Sequence, residues 1–196
     1  SSRSDPSRER LLKAAQKVFA HRGYAGASVQ DIVSAAGVTK PTLYYYFGSK
    51  AGIYRSMVEA AFDERLDLMQ KAASESDTLR GKLTEVLSAL FQYARDHREL
   101  SRLCFSSACA AAGEIPTGIP AKRSRRNFEF LHKLIAAGIR RGELSSRYDS
   151  IELTTIFFSH VLFYAIAQIV DFPGAAHRLQ PARLVDLFFD GAGGRR

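Results

Sequence analysis

The chain has 196 residues, 46% hydrophobic and 24% charged, which is enough apolar material to bury a sizeable core as one large or two small domains. Its two cysteines, Cys104 and Cys109, exclude a disulfide framework and fit a reducing cytoplasm. The formal charge is +8, and residues 1–58 carry nine Lys and Arg against three acids, so one end of the chain is built for an anionic partner: DNA, RNA or an anionic membrane surface.

In chain order, Asp5 and Pro6 start a first helix whose stripe of Leu11, Leu12, Ala15, Val18 and Phe19 ends at Gly23. Ser28 then caps a short helix with Val29, Ile32, Val33 and Ala36 on one face, and Gly37 permits a sharp turn. A further helix starts near Thr39. Residue preference makes Thr39 the cap, while Pro41 fits the first helical position best and restrains Lys40 from helical geometry. Side chains about 100° apart place Leu43 and Phe47 together as the buried edge. Tyr45 then points the opposite way with Pro41 and Thr42, and Tyr44 and Tyr46 lie on the flanks, about 80° to either side of the buried edge. Only two of the five residues 43–47 can face inward, so three tyrosines serving solely as core is the weaker reading. Such a helix suits a major groove: outward residues meet base edges and each flanking phenol donates to a phosphate. Lys50 adds a cation where the next helix opens.

Residues 11–53, with VFAHRGYAGAS before the first motif helix, GVTKPTLYYYF through the second and GSK after it, resemble the DNA-binding domain of the TetR family of transcriptional repressors. The resemblance implies that Lys40, Pro41 and Tyr45 lie near bases, that Thr42, Tyr44, Tyr46 and Lys50 hold phosphates, and that Ser28 caps its helix. Val33 departs from the small residue often found there, which bears on the crossing angle of the two helices.

Beyond the motif, helical spacing recurs and strand alternation is lacking. Helices are expected over about 49–73, 79–96 and 98–112. GEIPTGIP follows as a loop no helix could cross, and then come helices over 121–141, 150–170 and 181–190. The reading is all-α with about nine helices: a helix-turn-helix domain over residues 1–50 and a larger helical domain over 51–196. The family resemblance makes the second domain the one that binds an effector and dimerises.

The segment 151–170 is apolar nearly all round, and Ser159, His160 and Gln168 mark it as a buried helix of a soluble protein rather than a membrane span. One side packs within the subunit and the other meets a second copy. The expected seam is Phe157, Val161 and Tyr164 with Leu184, Leu187, Phe188 and Phe189, in a two-fold four-helix bundle. Which face of the helix lines a pocket and which the seam stays open. Phe62, Leu66, Phe91, Phe105, Phe128, Leu131 and Phe163 belong to helices that would surround an effector cavity, and equally suit ordinary core positions. Lys122, Arg123, Arg125 and Arg126 read as a solvated face, with an anionic effector or further DNA contact as alternatives.

No catalytic set, metal site or cofactor motif is read. Cys104 and Cys109 lie about 140° apart on a helix and cannot bridge within it, and His97 stands two turns from Cys104, too far for one metal ion. His132 and His160 suit hydrogen-bonded structural roles. The expected protein is therefore a cytoplasmic, homodimeric regulator that binds a palindromic duplex as a repressor and is released by a small hydrophobic effector. An architectural DNA-binding factor, or a small-molecule or redox sensor with weak DNA binding, are the other classes weighed.

Overall fold

The computed structural model describes residues 5–109, 115–116, 119–170 and 178–191, and among these it holds nine α-helices and no β-strand. They are α1 (Pro6–Gly26), α2 (Val29–Ala36), α3 (Lys40–Phe47), α4 (Lys50–Ala73), α5 (Leu79–Asp96), α6 (Arg98–Cys109), α7 (Ile119–Arg140), α8 (Ser150–Val170) and α9 (Pro181–Asp190). The all-α reading holds, and two boundaries differ from it by two residues or more. The helical run of α1 continues past Gly23, but only across a break in which that glycine takes φ 68° and ψ 175°. Helix α7 begins at Ile119 and so takes in Pro120, which the first turn tolerates because the N–H that proline lacks would have no helical partner there. Residues 110–112, expected to end the sixth helix, lie outside the described residues, as do the side chains of Cys109 and Lys122.

Packing divides the chain into two compact units, residues 1–62 with 99–123 and residues 63–98 with 124–196. The division falls within α4 and gives α6 from Glu99 onward to the first unit. The cause is apolar: Leu100, Leu103 and Cys104 of α6 are buried in one cluster with Leu11, Phe19, Ile32, Leu43 and Tyr54. Tyr54 lies fully buried with Phe19 and Tyr24 edge-on to it at 4.9 and 5.0 Å, and its hydroxyl meets the Ser107 hydroxyl at 2.7 Å. A buried phenol needs that partner, and α6 supplies it.

The second unit buries Leu79, Leu83, Val86 and Leu87 of α5 with Leu131 and Ile135 of α7, Phe157 of α8 and Val185 of α9. Phe91 stacks on Tyr164 with ring centres 3.6 Å apart, and Arg95 donates to the Tyr164 hydroxyl at 2.7 Å. Arg80 holds α9 to α5 by bonding Asp186 at 2.6 Å and Asp190 at 2.8 Å, while its guanidinium lies 4.6 Å from the Phe189 ring centre.

Candidate nucleic-acid interface

Helix α2 is fixed at both ends before it packs. The Ser28 hydroxyl accepts from the Asp31 backbone N–H at 3.1 Å, and the Asp31 carboxylate accepts from the Ser28 backbone N–H at 3.0 Å and the Ser28 hydroxyl at 2.7 Å. This reciprocal capping box satisfies orphan donors at the start of the helix. Arg22 adds an ion pair to Asp31 at 2.9 Å. These bonds, Ser28's first among them, hold the Asp31 carboxyl below the usual carboxylate range. At the other end Gly37 is left-handed, with φ 64° and ψ 39°, and Val38 N–H returns to Val33 O at 3.1 Å. The helix then buries Ile32, Val33 and Ala36.

Helix α3 starts with Thr39 as its N-cap residue and Lys40 as its first helical residue, so Pro41 takes the second place rather than the first. The Thr39 side chain makes no cap bond; its hydroxyl meets that of Thr42 at 2.9 Å. Leu43 is fully buried and Phe47 partly so, whereas Tyr45 is 82% exposed, Tyr44 is 49% exposed, and Lys40 and Pro41 are exposed beside them. Tyr45 rests edge-on against Tyr46 at 4.9 Å. A helix that hides a leucine and holds large amphipathic rings out in water presents a contact surface.

Two further residues of the set bond distant parts of the protein. Lys50 donates to the carbonyls of Tyr24 and Ala27, both at 2.9 Å, and its ammonium stands 4.5 Å from the Tyr24 ring centre. Two of its three donors thus tie the start of α4 to the α1–α2 connection. The Tyr46 hydroxyl donates to the carboxylate of Asp5, the N-cap of α1. That bond lowers the Asp5 carboxyl and raises the Tyr46 phenol. Arg8 lies 5.4 Å from the Phe47 ring centre, bringing an unforeseen cation beside α3. Asp31 was findable as an acid three residues after a serine cap. Asp5 was legible as a helix start, but its bond to a phenol 41 residues away leaves no local signal.

The seven effector candidates are divided between the two units. Phe62 and the exposed Phe105 belong to the first unit; in the second, Leu66, Phe91 and Leu131 are buried, Phe128 sits edge-on to Phe158 at 5.8 Å, and Phe163 is exposed. The first unit holds a cleft of about 290 Å³ bounded by Phe19, Tyr24, Tyr54 and Leu103, and the second one of about 490 Å³ bounded by Tyr148, Ile156, Leu187 and Phe188. None of the seven lines either cleft. Of the seam candidates, Phe157 and Tyr164 are buried within the chain, Val161, Leu184 and Phe188 are partly buried, and Leu187 is exposed. The solvent face of α8 carries Ile151, Ile156, Leu162, Phe163 and Val170 instead. By length and composition α8 could cross a membrane.

Three arginines of the basic run on α7 are paired: Arg126 with Asp63 at 3.0 Å, Arg125 with Glu129 at 3.0 Å, and Arg123 with Glu59 at 3.7 Å. His132 meets the Ser150 hydroxyl at 2.9 Å, and His160 Nδ1 lies 2.9 Å from the Ile156 carbonyl. Cys104 is buried, and among the described residues no group of three His, Cys, Asp or Glu could hold a metal ion.

Residues 11–57 match the model of the bacterial regulatory proteins of the tetR family. The HTH-type transcriptional activator FasR of Mycolicibacterium smegmatis is 32% identical over 103 residues, covering 53% of this chain and 47% of that protein. The HTH-type transcriptional repressor BepR of Brucella suis is 27% identical over 160 residues, covering 79% and 77%. The chain spans about half the length of the first curated relatives that it matches. Among solved structures, the fatty acid degradation regulator FadR from Bacillus halodurans aligns over 99% of this chain and 100% of its own with a TM-score of 0.78 at 19% identity. FadR from Bacillus subtilis in complex with stearoyl-CoA aligns over 94% and 99% with a TM-score of 0.76, also at 19% identity. These likenesses extend the shared fold through the second unit.

Proposed function

The chain carries the DNA-binding domain of the TetR family of bacterial regulatory proteins, and from that premise we propose that it is a cytoplasmic, ligand-responsive transcriptional repressor working as a homodimer on a palindromic operator. Residues 1–50 grip the duplex and residues 51–196 dimerise and take the effector. The observation that carries the reading is the exposure of Tyr45 and Tyr44 on a helix whose opposite edge, Leu43, is fully buried. Tyr45, Lys40 and Pro41 meet base edges, and Tyr44, Tyr46 and Thr42 bond phosphates on the groove walls. Lys50 keeps one ammonium donor for a phosphate and acts chiefly by bracing the motif.

The test is a selection of bound duplexes from a random pool. Wild-type protein enriches a two-fold symmetric sequence with half-sites one helical turn apart, and Tyr45→Ala shifts the enriched sequence. Enrichment of nothing by the wild type overturns the reading.

The effector is hydrophobic and acts by favouring a conformation in which the two motifs no longer match successive grooves. Stearoyl-CoA is the first probe, because a FadR of the same fold holds it. Saturating stearoyl-CoA should release the selected duplex, and DNA should weaken stearoyl-CoA binding by the same factor. Equal DNA affinity with and without it rejects long-chain acyl-CoA as the effector class.

A further inference from the structure

We propose that Asp5 is a built-in brake on DNA binding: it holds the one proton that Tyr46 can offer a phosphate, and it fixes an anion at the groove wall. The inference rests on the reading of α3 as the DNA-contacting helix. A phenol has a single O–H donor, and a phosphodiester oxygen only accepts. Tyr46 donates that hydrogen to Asp5, so the bond to Asp5 and a donated bond to DNA exclude each other. On the opposite flank, among the described residues no hydrogen bond engages the Tyr44 hydroxyl, which is available at once.

Asp5 cannot simply swing away. Its other carboxylate oxygen accepts the Ser7 backbone N–H at 2.9 Å as the cap of α1, and its own carbonyl accepts from Arg8 at 2.9 Å and Glu9 at 3.2 Å. The carboxylate therefore stays beside the phenol when a phosphate arrives. Arg10 lies close enough to act on its charge, and the Tyr46 bond keeps it ionised, so the anion is permanent at neutral pH. Two unit charges about 6 Å apart in water repel enough for roughly a threefold loss of affinity, or about tenfold for two protomers, and salt screens the effect. Phosphates carry no sequence information, so the brake lowers affinity for every duplex alike.

Asp5→Asn separates the roles of this residue. Asparagine caps a helix as well as aspartate does, and its amide can donate to the Tyr46 oxygen, freeing the phenol hydrogen for phosphate while removing the charge. Asp5→Ser also caps, but is too short to keep the phenol. Both variants should bind the selected duplex and an unrelated duplex about three- to tenfold more tightly at low salt. The gain should shrink as salt rises and should be smaller in a Tyr46→Phe background. Unchanged or weaker binding by both variants, with thermal midpoints equal to the wild type, overturns the brake. Failure of the wild-type protein to enrich any duplex overturns the DNA-binding reading instead, so the two failures are distinguishable.

Discussion

Tyr44 and Tyr46 occupy mirror positions on one short helix, and what separates them is a carboxylate from another part of the chain. A free phenol bonding a phosphate contributes as a neutral hydrogen bond does, roughly 1 kcal/mol. Tyr44→Phe removes that bond from both protomers of the dimer and should therefore weaken binding about 30-fold on related and unrelated duplexes alike. Because a phenol displaces no counterion charge, the slope of log affinity against log salt should stay unchanged, as an electrophoretic mobility titration across salt concentrations would show. A changed slope would mean that the substitution had moved a cation as well. The burial of Leu43 and the outward aim of Tyr45 were legible in the sequence because both follow from the helical period alone. The engagement of Tyr46 and Lys50 was not, since each bonds a group more than 20 residues away.

Helices here are set by their ends and by single close approaches. The capping box of α2 holds the motif's first helix, so Ser28→Ala should cost about 1 kcal/mol and lower the thermal midpoint by roughly 2–4 °C. The Asp31 carboxyl is lowered in the folded state, so its stabilising effect is present at neutral pH and disappears as pH falls through the folded value. The thermal deficit of Asp31→Asn should accordingly be full at pH 7 and narrow below about pH 4. A deficit constant over that range would show that the charge contributes nothing. Gly138 tests packing in the opposite sense. On propensity alone, Gly138→Ala would strengthen α7 by up to about 1 kcal/mol. A Cβ there would come within 2.2 Å of Leu79 Cδ2 and 3.1 Å of its Cγ, and Leu79 is fully buried at the start of α5 with little room to yield. Overpacking of this kind costs about 1–3 kcal/mol, so the net effect should be a lower unfolding midpoint in denaturant. A higher midpoint would show that Leu79 repacks freely. Helix existence and length were readable from periodic leucines and glycines; this contact between α5 and α7 was not.

For the whole molecule the decisive surface is α8. Phe157 and Tyr164 suited a partner seam in the sequence only because a helix apolar on every side has no phase from which to tell inner face from outer. Packing supplies the phase: with Phe157 and Tyr164 committed to their own core, Ile156, Phe163 and Val170 recur at seven-residue steps along the exposed side. Ile156 is 52% exposed and bounds a cleft with Leu187 of α9, so an apolar strip crosses from one helix to the other. A seven-residue repeat of exposed apolar side chains on a chain without tryptophan and with 24% charged residues matches the seam of a helical bundle. If a second copy covers it, Ile156→Glu places a carboxylate against the partner in both copies, where desolvation has no compensating charge. Sedimentation should then give a monomer at micromolar concentration where the wild type gives a dimer. Operator affinity should fall by at least about 100-fold even though every side chain of α3 is unchanged, because the second half-site loses its tethered partner. Binding to a single half-site should survive. A variant that stays dimeric would put the seam on another face, and a monomer that keeps full operator affinity would mean that one recognition helix reads the operator alone.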